Sequence, residues 1–198
     1  MSIKPLFDIH TLRSLEPLLV LALIAIAGIF IGLDALRFDR EAIELGQWWR
    51  LLSCNIAHLG YRHLLLNLAG LVLVALLFGG HINSRQWSVA IVFTCIATGL
   101  CLFLFEPQIR RYVGLSGMLH GVMVYAAVLS WSKQRMINSA VLLIVFGKLL
   151  KELIWGPGDI EAFVGGTVLI MSHVYGALSG LLLASISLLI AAIKKPAR

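Results

Sequence analysis

Thr167-Val168-Leu169-Ile170-Met171-Ser172-His173-Val174-Tyr175-Gly176-Ala177-Leu178-Ser179-Gly180 continues to Ile193 without one Asp, Glu, Lys or Arg. About 20 predominantly apolar residues cross the hydrocarbon of a bilayer. A longer uncharged run therefore reads as a membrane span, and the histidine inside it needs a reason to be there. The rest of the chain agrees. Of its 198 residues, 60% are hydrophobic and only 13% are charged, and the mean hydropathy is +0.93. A soluble domain is about 45–50% apolar and about 25% charged, and one this small leaves much of its surface in water. A soluble enzyme, a disordered tail and a disulfide scaffold are all excluded.

Similar apolar runs lie near Leu18–Leu33, Leu64–Phe78, Val89–Phe105, Val113–Trp131 and Ile137–Trp155. With Thr167–Ile193 they predict an all-α fold, a polytopic bundle of six transmembrane helices. The expected organisation is one membrane domain over residues 1–198. Residues 1–17 form a short cytoplasmic N-terminus, and the first run stays as a span instead of serving as a removed signal peptide. Residues 34–60 form an interfacial first loop anchored by the Trp48–Trp49 pair. Residues 194–198 form a basic cytoplasmic tail. Lys148, Lys151 and Glu152 interrupt the fifth run; they are expected to snorkel toward an interface, with Lys148 and Glu152 paired at i,i+4.

The net charge of +6 points to Lys and Arg in cytoplasmic loops and not to nucleic acid. Lys and Arg divide evenly between the two sides. The clean clusters, Lys133–Arg135 and Lys194–Arg198, place both termini inside. The three cysteines, Cys54, Cys95 and Cys101, form no C-x-x-C, so neither a metal site nor a required disulfide is read.

That orientation gives spans two, four and six the same direction, with their N-terminal ends near the outer face. Strongly polar side chains inside spans mark function by default, and three groups fall near those ends. His63 and Asn67 are four apart and share a helix face. Gly114-Leu115-Ser116-Gly117 opens the fourth span, beside the free N–H groups of a helix start. His173 lies about two turns into the sixth, with Gly176 and Gly180 on its own face, where a neighbouring backbone can approach. Taken singly, each group also fits ordinary helix packing. Together they supply a nucleophile, a base and hydrogen-bond donors, the components of acyl transfer. No carboxylate is read near His173, so a Ser116–His173 dyad is the simplest scheme.

These residues resemble the rhomboid family of intramembrane serine proteases. The resemblance rests on Trp49-Arg50, His58, His63-x-x-x-Asn67, Gly114-x-Ser116-Gly117 and His173-x-x-Gly176-x-x-x-Gly180, in order over roughly residues 45–185. It implies the six-helix rhomboid fold, Ser116 as nucleophile and His173 as general base. It implies an oxyanion hole from His63, Asn67 and the backbone N–H groups of Leu115 and Ser116. Trp49, Arg50 and His58 would support the first loop. Cofactors and metals would not be needed. Partners would be transmembrane protein substrates, entering from the lipid bilayer between spans two and five, and the membrane lipids. Gly114-Leu115-Ser116-Gly117-Met118-Leu119-His120-Gly121 and the short chain look like the rhombosortase branch, which cuts C-terminal Gly-Gly sorting anchors of proteins secreted by Gram-negative bacteria. His120 stands where many rhomboids carry a tyrosine packed on the catalytic histidine. The alternatives are a general rhomboid protease with other substrates, or a transporter passing protons or a metal through a histidine-lined cavity.

Overall fold

Each of the six apolar runs folds as one helix in the computed structural model, which describes residues 9–194 and the side chains of 11–194. The expected N-terminal segment and basic tail fall largely outside the described residues. In chain order the elements are α1 (Ile9–Ser14), α2 (Glu16–Ile31), α3 (Leu33–Leu36), β1 (Phe38–Asp39), α4 (Arg40–Glu44), α5 (Arg50–Ser53) and α6 (Tyr61–Phe78). Then follow α7 (Ser84–Phe105), β2 (Arg111–Tyr112), α8 (Ser116–Leu129), α9 (Arg135–Trp155), α10 (Ile160–Val164) and α11 (Ile170–Ile193). By length and composition, α6, α7 and α11 can each cross a membrane. The other three fall short for separate reasons. Helices α2 and α8 are apolar but have only 16 and 14 residues, and α9 carries the charges at 148, 151 and 152.

Helix α8 is the centre of the bundle, with nine of its 14 residues buried. Met118, Val122 and Tyr125 meet Leu71 and Val74 of α6, Trp87 and Ala90 of α7, and Ala177 and Ala184 of α11 in one core. Outward faces are apolar as well: Leu19, Leu23, Leu65, Val92, Leu143 and Leu182 are all exposed, as lipid contact requires.

Glycines set the closest contact. A side chain on Gly176 would strike the carbonyl of Gly117, and one on Gly180 that of Gly121. In return, Gly121 lies 2.7 Å, from its would-be Cβ, against the carbonyl of Gly176. So α8 and α11 pack backbone on backbone, the small-residue mode of membrane helices.

The first loop is held from both ends. Strand β1 pairs antiparallel with β2, Phe38 opposite Tyr112, and Phe38, Ile43, Cys54, Leu102 and Tyr112 form a second small core beneath it. Arg50 donates through Nε to Gln47 Oε1 at 2.7 Å and through Nη1 to the carbonyls of Asp34 and Arg37, both at 2.9 Å. Trp48 packs edge-on against Phe103, while Trp49 stays exposed. Arg40, which composition places on the charged interface, is instead buried. Its guanidinium donates to the carbonyls of Leu102, Phe103, Glu106 and Ile109 at 2.9–3.1 Å. The last carbonyls of any helix lack intrahelical partners and carry partial negative charge. Arg40 thus caps the C-terminus of α7.

Candidate functional site

Ser116 is the first residue of α8 because the backbone leaves helical geometry two residues before it, at Gly114. Gly114 has φ +122°, a conformation that side chains rarely adopt. The loop there is tied down: Gly114 N–H donates to the Cys54 carbonyl at 2.9 Å, and Tyr112 Oη donates to the Gly114 carbonyl at 2.9 Å. Farther back, Tyr175 of α11 donates to Glu106 Oε1 at 2.8 Å. Helix α11 begins at Ile170, after an extended Leu169, so His173 stands one turn in and not two. The α8–α11 glycine contact then faces the two functional side chains toward each other. Ser116 Oγ–H donates to His173 Nε2 at 2.9 Å, and His173 is buried.

The other face of His173 overturns an expectation. A carboxylate is present. His173 Nδ1–H donates to Glu152 Oε2 at 3.0 Å, and Glu152 is only 5% exposed. Lys148 does not simply snorkel away; its Nζ donates to Glu152 Oε1 at 2.7 Å and reaches His120 Nε2 at 3.3 Å. Lys151 faces elsewhere and caps the helix end through the Gly156 carbonyl at 3.0 Å. Because a carboxylate only accepts, the Nδ1 proton of His173 is fixed and Nε2 keeps its lone pair for the serine.

His120 stacks on His173, with ring centroids 4.4 Å apart and planes at 18°. Its Nδ1–H donates to the Ser116 carbonyl at 2.7 Å, which leaves Nε2 to accept from Lys148. Five groups therefore close a ring around the serine: Ser116, His173, Glu152, Lys148 and His120.

His63 packs against Gly114, and a Cβ on that glycine would lie 2.7 Å from the imidazole. Its Nδ1 accepts the Leu59 N–H at 3.5 Å, so Nε2 carries the proton and is a donor beside the loop that leads into Ser116. Asn67 spends one amide hydrogen on the His63 carbonyl at 3.1 Å and has a second available. The first N–H groups of α8, beginning at Ser116, have no carbonyl one turn back. His58 lies edge-on to His63 at 5.1 Å and donates through Nδ1 to the Ile56 carbonyl at 3.1 Å. Burial, with His63 beside it, lowers its pKa to about 4.

Gly117, Gly176 and Gly180 lie in the helix contact, and Trp49 and Arg50 belong to the first loop. Sequence reading missed Glu152, the inward role of Lys148, and Gly121 as the fourth member of the glycine contact. The signal for Gly121 was present as Gly117-x-x-x-Gly121, which matches Gly176-x-x-x-Gly180. Among the described residues, no three His, Cys, Asp or Glu side chains converge as a metal site.

A model of the rhomboid domain matches residues 45–189, a range that holds every side chain of the serine ring. The Bacillus subtilis (strain 168) protein named "Putative rhomboid protease YdcA" is 23% identical over 178 residues, covering 83% of this chain and 84% of that protein.

Proposed function

The chain belongs to the rhomboid family, and from that premise we propose that it is an intramembrane serine endopeptidase with Ser116 as nucleophile and His173 as general base. It is an integral membrane protein acting on membrane protein substrates. The observation that carries the assignment is the 2.9 Å hydrogen bond from Ser116 Oγ to His173 Nε2, made across two helices that touch through glycine. A serine hydroxyl is a weak nucleophile until a base takes its proton. Here the base is in hydrogen-bond reach, and its tautomer is the one that can accept.

In the proposed reaction, a substrate helix enters from the lipid between α6 and α9 and unwinds locally. Its scissile carbonyl meets Ser116 Oγ. His173 takes the hydroxyl proton as the new C–O bond forms and returns it to the leaving amine as the C–N bond breaks. Water then cleaves the acyl-enzyme by the same route. His63, Asn67 and the backbone N–H groups of Leu115 and Ser116 hold the oxyanion; one such donor is worth about 10²–10³ in rate. No step calls for a metal or a cofactor.

The topology proposed is six spans, with residues 1–17 and 194–198 in the cytoplasm and the serine opening to the periplasmic side of a Gram-negative inner membrane. Residues 1–198 form one membrane domain. The substrates proposed are secreted bacterial proteins with a C-terminal Gly-Gly anchor, a hydrophobic span and a basic tail, as for the rhombosortase branch. Glycine supports the choice physically, because it frays a helix and admits close backbone approach.

Co-expression with a tagged Gly-Gly substrate, beside a generic rhomboid substrate, tests the proposal. Cleavage of the Gly-Gly substrate that is abolished by both Ser116→Ala and His173→Ala is the expected result. Cleavage of only the generic substrate would retain the protease and remove the sorting role. Cleavage undiminished in Ser116→Ala would overturn the nucleophile.

A further inference from the structure

Glu152 has no reason to be in the bundle if only Ser116 and His173 act. It sits on the inward stripe of α9 with Val141, Val145 and Leu149, all buried. A carboxylate in such surroundings is costly unless paired and hydrogen-bonded. Lys148, one turn earlier, satisfies one oxygen at 2.7 Å. That i,i+4 pair alone would suffice for a structural role, and it could have been made at the lipid–water interface. Instead the second oxygen is aimed at His173 Nδ1, at 3.0 Å, on the side of the ring opposite Ser116. Lys148 is half exposed, while the Glu152 side chain is only 6% exposed. The cation can shed its cost to solvent, and the anion cannot.

Resting on the assignment of Ser116 as nucleophile, we infer that Glu152 is a positioning residue of the reaction, fixed in turn by Lys148. Glu152 holds His173 in the Nδ1–H tautomer and turns Nε2 toward Ser116 Oγ. When His173 takes the serine proton, the imidazolium lies between the substrate oxyanion and the Glu152 carboxylate. The proton stays on Nε2 until it leaves with the amine, and the carboxylate remains ionised throughout. Lys148 keeps the carboxylate from turning away from the imidazole. Its contact to His120 Nε2 fixes the ring that stacks on His173. Both charged residues belong to α9, so the site is complete only while α9 is packed against α11.

The test uses the full chain, purified in lipid, with kcat and KM on a tagged Gly-Gly substrate and the rate of Ser116 labelling by a fluorophosphonate. Glu152→Gln is expected to lower kcat about 10²- to 10⁴-fold, as removal of the charged orienting group does in serine hydrolases. KM is expected to stay within about threefold, because Glu152 touches His173 and not the substrate. Labelling slows in parallel, and the melting temperature stays near wild type. Glu152→Asp, which keeps the charge but is one methylene short, falls between the two. A Glu152→Gln enzyme with kcat within about threefold of wild type, beside an inactive Ser116→Ala, overturns the inference and leaves the serine–histidine assignment intact. Wild-type protein that labels no faster than Ser116→Ala removes the assignment and the inference together. Should Glu152→Gln fail to fold, a folded Glu152→Asp decides: lower kcat at unchanged KM supports the role, and wild-type kcat overturns it.

Discussion

Gly176 rests on the carbonyl of Gly117 with no space for a methyl group between them. The obstacle is backbone, which cannot rotate aside as a side chain can. Gly176→Ala must therefore push α8 and α11 apart. Overpacking of this kind costs about 1–3 kcal/mol. The same shift separates Ser116 from His173, which lies one turn before Gly176. A misplacement of about 1 Å can cost about 10²-fold in rate. Melting in detergent and cleavage of a tagged substrate should show both losses in Gly176→Ala, with the rate affected more than the stability.

Arg40 tests the first loop. Its guanidinium satisfies four carbonyls at the end of α7 and lies 4.9 Å from the Phe103 ring centroid. An ammonium has no planar fork to do this. Arg40→Lys should destabilise the protein by about 2–4 kcal/mol, on the scale of lost charged hydrogen bonds. Thermal melting reads the effect. An unchanged midpoint would refute the capping role.

His58 predicts a pH window. Its folded pKa, about 4, lies below the ordinary value near 6.5. Between those values the unfolded chain binds more proton than the folded one, so stability rises with pH. It is full above about pH 6.5 and is lost as pH falls toward 4, by up to about 3 kcal/mol. His58→Asn keeps an N–H for the Ile56 carbonyl and does not titrate. Its melting temperature should fall less than that of wild type between pH 6.5 and 4.

The end of the bundle away from Ser116 holds a second polar cluster. Asn138 is fully buried; it donates to Ser130 Oγ at 3.1 Å and accepts from Gln134 Nε2 at 3.1 Å. Gln134 in turn accepts from His81 Nε2 at 3.0 Å. Asn138→Ala removes one partner each from Ser130 and Gln134 and should cost about 1–3 kcal/mol. Its kcat should match wild type below the new melting range, in contrast with Gly176→Ala.

The positions of the helices were legible because apolar runs announce themselves by length. Ser116 and His173 were legible because they share one end of the bundle with His63. Glu152 was not, for a physical reason. The buried stripe of α9 is Asn138, Val141, Val145, Leu149 and Glu152, a clean helical spacing. In water that stripe would stand out against a polar face. Here the outward positions are Leu143, Ile144, Leu150 and Ile154, as apolar as the inward ones. Periodicity vanishes when both solvents are oily, and a Lys–Glu pair at a helix end then resembles a surface pair. Arg40 was hidden differently. It lies among Arg37, Asp39, Glu41 and Glu44, where charge density suggested water, and its carbonyl partners are more than 60 residues away along the chain.

Helix α8 has only 14 residues, a length of about 21 Å at 1.5 Å per residue. A hydrocarbon layer is about 30 Å thick. If α8 spans as proposed, with its C-terminal end at the far boundary, the serine lies about 9 Å beneath the near one. Irregular backbone at such a depth is tolerated where it is buried in protein. Measured along a substrate helix, that depth is about six residues. On that proposed topology the short helix would serve as a ruler: the bond offered to Ser116 would be chosen by its distance from the end of the substrate's own span before any side chain is read.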